Sequence, residues 1–211
     1  MICISIANIS QIEKINALKP DMIELRLDLI MEDPSLIMGR IENGPKIIVT
    51  CRPGKLNDSE RLQLLKQVID SGIAYIDIEI DSDTAYRNEL IEYVRSSQTE
   101  VIVSWHDYKK TPSFAELGEI MSGCYKKGAD VAKIACQVNS EEDNARLLSL
   151  YSMSGRKVIL GMGVLGKITR LAALKLGAEF TFVSLDDQNA TAPGQLTLDE
   201  FTTLNKILLS S

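Results

Sequence analysis

Ala129-Asp130-Val131-Ala132-Lys133-Ile134-Ala135 has the apolar, partly β-branched character of a strand buried on both faces in a parallel sheet. Lys133 sits in its middle. A lysine there has no easy path to water, and burying an unpaired ammonium is costly. One relief is a depressed pKa, which leaves a neutral amine able to attack a carbonyl and form a Schiff base. The other is a buried carboxylate partner, or a strand-end position from which the side chain snorkels out. The stretch alone leaves these open.

Outward from it, strand-like and helix-like segments alternate along the whole chain. Strands are expected at Ile2–Ile6, Met22–Leu27, Lys46–Thr50, Ala74–Ile80, Val101–Trp105, Asp130–Ala135, Lys157–Leu160 and Phe180–Ser184. Helical patterns lie near Ile9–Leu18, Pro34–Glu42, Ser59–Ser71, Thr84–Ser96, Ser113–Lys127, Ser140–Ser154, Gly166–Leu176 and Leu198–Leu209. Ser113 and Ser140 stand where N-caps belong, and Gly72, Gly128, Gly155 and Gly177 stand where helices end. Eight strands, each followed by a helix, predict a (β/α)8 TIM barrel in the α/β class, one catalytic domain over residues 1–211. A doubly wound open sheet is the alternative, but no GxGxxG follows the first strand.

Composition narrows the function. With 211 residues, 45% of them hydrophobic, the chain supports one sizeable core. Its net charge of -6 and lack of a basic block argue against nucleic acid. No apolar run approaches the ~18 residues of a membrane span, and the N-terminus reads as a first strand, not a signal peptide. The four cysteines lack metal-binding spacing and suggest reduced thiols in a cytoplasmic protein. One histidine excludes a His-rich metal site.

In a strand, side chains two apart share a face. Ile23, Leu25 and Leu27 share one face, Glu24, Arg26 and Asp28 the other. Tyr75, Asp77 and Glu79 oppose Ile76, Ile78 and Ile80. Helices cover the outside of a parallel barrel, so the charged faces point inward. Thr50 with Arg52 and Ser104 with His106 continue the pattern. Catalytic groups in this fold sit toward the C-terminal strand ends, where Arg26, Arg52, Glu79, His106 and Lys133 fall at or near. Each has a plainer explanation. Glu24 and Arg26 could form an ion pair plugging the barrel, Glu79 could satisfy a buried arginine, His106 could be a rim histidine, and Arg170 could be a surface charge. Burying so many ions in one lumen costs on the order of several kcal/mol each, so a polar substrate that pairs with them is the simpler account.

Lysine and histidine together suggest imine chemistry. A protonated imine acidifies the neighbouring carbon, and a histidine can remove that proton and later return it. Arginines offer planar forks to a carboxylate or to hydroxyl groups.

Glu24-Leu25-Arg26-Leu27-Asp28, Val49-Thr50-Cys51-Arg52, Asp77-Ile78-Glu79, Ser104-Trp105-His106-Asp107, Val131-Ala132-Lys133, Met162-Gly163-Val164-Leu165-Gly166-Lys167-Ile168-Thr169-Arg170 and Ala192-Pro193-Gly194-Gln195 occur in that order. The set is similar to the type I 3-dehydroquinate dehydratase family of the shikimate pathway, which serves aromatic amino acid biosynthesis. The resemblance implies syn dehydration of 3-dehydroquinate to 3-dehydroshikimate, without metal or cofactor. It makes Lys133 the Schiff-base lysine, His106 the acid and base, and Glu79 the orienting carboxylate. It assigns Arg170 and Gln195 to the substrate carboxylate and the lid, Glu24, Arg26 and Arg52 to the ring hydroxyls, and Met162 to packing on the substrate. Thr191 stands where the family commonly has serine. Many relatives carry an N-terminal hairpin that closes the barrel base, whereas this sequence begins at the first strand. Homodimers are frequent in the family.

Residues 186–194 are polar, contain Pro193 and Gly194, and are expected to form a lid that orders over the substrate. Two rivals remain. A class I aldolase would use Gly161–Gly166 to hold phosphate. A non-catalytic barrel would bind a polar molecule with no need of Lys133 and His106 together.

Overall fold

The computed structural model describes residues 1–209. Strand and helix alternate as β1 (Ile2–Ile6), α1 (Ile12–Leu18), β2 (Met22–Arg26), α2 (Leu27–Ile30), α3 (Pro34–Met38), β3 (Lys46–Thr50), α4 (Asp58–Asp70), β4 (Tyr75–Glu79) and α5 (Thr84–Val94). They continue as β5 (Glu100–Asp107), α6 (Phe114–Lys126), β6 (Val131–Gln137), α7 (Glu141–Ser149), β7 (Lys157–Met162), α8 (Lys167–Ala173), β8 (Thr181–Ser184), β9 (Leu196–Thr197) and α9 (Leu198–Leu209). The expected strands and major helices are all present; residues 210 and 211 of the expected domain lie outside the described residues. Ser113 and Ser140 each close a capping box, and the four expected end glycines all have positive φ.

Differences from expectation are local. The helix expected over Pro34–Glu42 ends at Met38, and Ile9–Gln11 and Leu150–Ser152 are 3-10 turns flanking α1 and α7. β2 stops at Arg26, because Leu27–Ile30 turns at once into a helical turn. β9 is two residues long, too short to show a period.

One sheet runs in the order β7-β6-β5-β4-β3-β2-β1-β8-β9, with every pairing parallel. It curls around a lumen, giving the barrel-like (β/α)8 fold. No ladder joins β7 to β8 among the described residues. A backbone bond from Glu179 to Lys157 carbonyl, 3.0 Å, ties that seam near its base.

The register stacks the inward side chains in layers. Low in the lumen, Cys3, Met22, Ile48, Tyr75, Ile102, Val131, Val158 and Phe180 form an apolar plug. A larger apolar layer fills the space between sheet and helices. The inward charges of the sequence therefore occupy the upper lumen only. At the base, Arg156 donates to both oxygens of Glu100 at 2.5 and 2.9 Å, to both of Glu179 at 3.1 and 2.9 Å, and to Tyr75 Oη at 3.1 Å. That fork spans the end of the barrel opposite the cavity described next.

Candidate active site

At the C-terminal end of the strands lies a cavity with about 540 Å³ of empty space, open to solvent at its mouth. Its wall includes Glu24, Arg26, Arg52, His106, Lys133, Met162, Arg170, Thr191 and Gln195. The cavity thus brings together nine of the ten site residues expected from sequence. The tenth, Glu79, stands behind His106.

Lys133 is the third residue of β6, deeper than a strand end, and is 5% exposed. It does not stand unpaired. Its Nζ lies 2.7 Å from Asp77 Oδ2 and 4.5 Å from the centre of the Phe182 ring. Of the outcomes left open by the sequence, the structure takes the carboxylate-paired one. Asp77 also accepts from Ser104 Oγ at 2.5 Å. Burial would raise its pKa, but the charges of Lys133 and Arg52 and the bonds from Lys133 and Ser104 prevail and hold it at about 2.

His106 is the penultimate residue of β5, beside Arg52. Its Nδ1 is 3.2 Å from Glu79 Oε2, and Arg52 NH2 lies 3.0 Å from its Nε2. A neutral ring with the proton on Nδ1 satisfies both contacts: Nδ1 donates to Glu79 and Nε2 accepts from Arg52. Burial, followed by the positive charges of Arg52 and Lys133, keeps the imidazole pKa well below its ordinary value. Glu79 also forms an ion pair with Arg52. It satisfies an arginine, as its plainer reading held, and contacts the histidine as well. Tyr108 stacks against His106, centroids 6.1 Å apart, at the cavity mouth. Arg61 fixes the chain before Arg52 by donating to the Cys51 carbonyl at 2.9 and 2.7 Å.

The Glu24–Arg26 ion pair considered from sequence is not formed. The turn after β2 brings Asp28 back to Arg26, which donates to it at 3.0 and 2.7 Å. Glu24 instead accepts from Ser5 Oγ and Thr50 Oγ1, both at 2.7 Å.

Arg170 is not a surface charge. It lies in α8, is 1% exposed and lines the cavity. Its side chain has no hydrogen-bond or ion-pair partner among the described residues, and Nε is wholly buried. Burial pulls its pKa down to about 10. A buried guanidinium facing a cavity suits an anionic group.

From the segment after β8, Thr191, Ala192 and Gln195 line the cavity. Gln195 Oε1 accepts from Thr191 N at 2.8 Å and Thr191 Oγ1 at 3.1 Å, while Gln195 Nε2 donates to Ser5 Oγ at 3.2 Å. The Gly163 amide donates to the Pro193 carbonyl at 3.1 Å. Gly194, at φ +71°, packs so closely there that an added Cβ would lie 2.2 Å from Gly163 O.

Sequence reading left Asp77, Ser104, Ser5, Thr50 and Tyr108 without roles. Alternation had already turned Asp77, Ser104 and Thr50 inward, and the same alternation sets Ser5 between Ile4 and Ile6. What was missing was register across strands.

Fold and site together place the chain among the (β/α)8-barrel enzymes that carry a lysine inside the lumen. The profile of the type I 3-dehydroquinase family matches residues 2–210. The chain belongs to that family. A 3-dehydroquinate dehydratase of Methanococcus maripaludis (strain C7) is 34% identical over 225 residues, covering 99% of this chain and 100% of that one. The crystal structure of 3-dehydroquinate dehydratase from Geobacillus kaustophilus HTA426 superposes with a TM-score of 0.87 at 25% identity, covering 99% of this chain and 91% of that chain. The 3-dehydroquinate dehydratase from Aquifex aeolicus VF5 gives 0.83 at 29% identity, with 98% of each chain covered.

Proposed function

We propose that this chain is a hydro-lyase that dehydrates 3-dehydroquinate to 3-dehydroshikimate through an imine on Lys133, a step of the shikimate pathway of aromatic amino acid biosynthesis. The observation that carries this is one cavity lined by Lys133, by His106 on the neighbouring strand, and by the unpartnered Arg170.

The substrate ketone condenses with the Lys133 amine, and water leaves. His106 Nε2 takes a proton from the carbon beside the imine, giving an enamine. The enamine expels the hydroxyl from the carboxylate-bearing carbon, and His106 returns the proton to it. Water then hydrolyses the product imine. Glu79 holds the ring with Nε2 free of a proton. Arg52 donates to Nε2, so it must turn toward the substrate hydroxyls before the base can act. Glu24 and Arg26 take the same group of hydroxyls, and Met162 packs on the ring. Arg170 takes the carboxylate, and Thr191 and Gln195 close the lid over it. An aldolase-type reading is the poorer fit, because the profile of the type I 3-dehydroquinase family matches residues 2–210.

We place the activity in one catalytic domain over residues 1–211 of a cytoplasmic homodimer that works without metal or cofactor and without nucleic-acid or membrane partners. The described cysteines are all buried free thiols, which suits a reducing compartment. Light scattering should return the mass of two chains.

Borohydride added with 3-dehydroquinate should leave an adduct on Lys133, read by mass spectrometry. Ultraviolet absorbance should report the conjugated enoate. No absorbance refutes the reaction; absorbance without an adduct refutes the imine route.

A further inference from the structure

Asp77 has no place in the mechanism just given, and it does not line the cavity wall. Yet it touches the reacting nitrogen. β4, β5 and β6 are neighbours in the sheet, with Ser104 directly opposite Lys133 in register. Asp77 reaches across that row to Nζ, with Ser104 fixing its second oxygen. No other carboxylate lies within ion-pair distance of Nζ among the described residues.

We propose that Asp77 is the counter-ion of the protonated imine on Lys133, held in aim by Ser104. This rests on the imine reading above.

Atom balance supports it. An ammonium and a ketone give an iminium and one water. The C–N bond forms, the carbonyl C–O bond breaks, and the oxygen leaves with two of the three nitrogen protons. No proton is gained or lost overall, so the charge at Nζ is the same before and after. One fixed carboxylate serves both states. The ammonium can turn any of three N–H groups toward Asp77, whereas the iminium has one. That bond must point at Oδ2, which sets the plane of the C=N group and therefore which neighbouring carbon faces His106. Phe182 closes another side with the face of its ring, which also favours a cation.

Other charged or titratable groups surround the pair: Cys3 on β1, Glu24 and Arg26 on β2, Arg52 after β3, Glu79 on β4 and His106 on β5. Glu24 is occupied by Ser5 and Thr50, and Glu79 by Arg52 and His106. Asp77 is left as the carboxylate that matches the cation. An opposite charge at such range raises a cationic acid by about 1–3 pH units.

The test compares the parent with Asp77→Asn and Ser104→Ala, each mixed with 3-dehydroquinate and cyanoborohydride across neutral to alkaline pH. Cyanoborohydride reduces the protonated imine, so the yield of reduced Lys133 follows its protonation. The parent should be trapped well into alkaline pH. For Asp77→Asn the yield should fall at a pH lower by about 1–3 units, with kcat reduced about ten- to thousandfold above that point and KM little changed. Ser104→Ala should shift the same way by less, and it decides the matter if Asp77→Asn does not fold. Coincident yield-against-pH curves in parent and variants overturn the inference. No adduct on the parent removes the imine reading itself, and this inference with it.

Discussion

Replacing Arg170 with methionine is expected to raise stability and impair turnover together. The guanidinium is 1% exposed and has no partner among the described residues, so the fold holds a buried charge against its solvation. Its pKa of about 10 is some two and a half pH units below the ordinary arginine value. At ~1.4 kcal/mol per pH unit, that charge costs the folded state about 3–4 kcal/mol. Water in the open cavity offsets part of this, and methionine keeps most of the apolar stem, so a gain of about 1–3 kcal/mol is expected. For a chain of this length ~1 kcal/mol moves Tm by about 2–4 °C, which gives a rise of about 2–12 °C. Catalysis should move the other way. Removing one partner of a desolvated ion pair costs about 2–5 kcal/mol, so KM should rise by about thirtyfold or more. Calorimetric melts of the protein alone and steady-state assays of the enoate absorbance supply both readings. A variant that melts at or below the parent would refute the unpaired charge, and an unchanged KM would refute its service to the substrate carboxylate.

His106 is held neutral by burial and by Arg52 and Lys133, so the acid limb of kcat/KM, which reports the free enzyme, should lie below the usual ~6.5. Arg52→Met should move that limb upward; a limb near the ordinary value in the parent would contradict the geometry. The same depressed value implies that the unfolded chain takes up this proton first, so His106 lowers stability as pH falls through ~6.5. Gly194→Ala would drive a Cβ into the Gly163 backbone at a positive φ. It should leave the melt within a few degrees, raise KM, and increase protease cleavage within residues 186–194; an unchanged KM and digestion pattern would remove the lid. Arg156→Met should lower Tm without changing kcat. Bonds from Arg156 hold the Glu100 and Glu179 carboxyls below their usual range, so their contribution is present above the unfolded carboxylate pKa and disappears as pH falls through the folded values. The Tm gap between parent and variant should therefore close in acid, and a gap independent of pH would count against the bridge.

The barrel was legible because its strands announce themselves twice, by apolar outward faces and by polar inward ones. Unlike Lys133, which lies in a strand that is apolar on both faces and shows no alternation, Glu24, Arg52, Glu79 and His106 could be assigned to the lumen from alternation alone. Their partners could not. Whether Arg26 meets Glu24 or Asp28 depends on a helical turn of four residues, Leu27–Ile30, too short to carry a periodic signal. That Lys133 meets Asp77 depends on register across three strands, which no single strand encodes. Arg170 was hardest, since a cation in a helical pattern looks the same whether it faces solvent or a cavity. Its burial and lack of a partner are properties of the assembled barrel.

Arg156 gathers Tyr75, Glu100 and Glu179 across the floor of the molecule, with the apolar plug between that knot and the chemistry above. The lower pole therefore carries charges that serve durability alone, whereas Arg170 and His106 at the upper pole trade durability for reactivity. Selection or engineering can retune how long the protein lasts at the lower pole, by exchanging one fork and its acceptors, while the upper pole keeps its alignment.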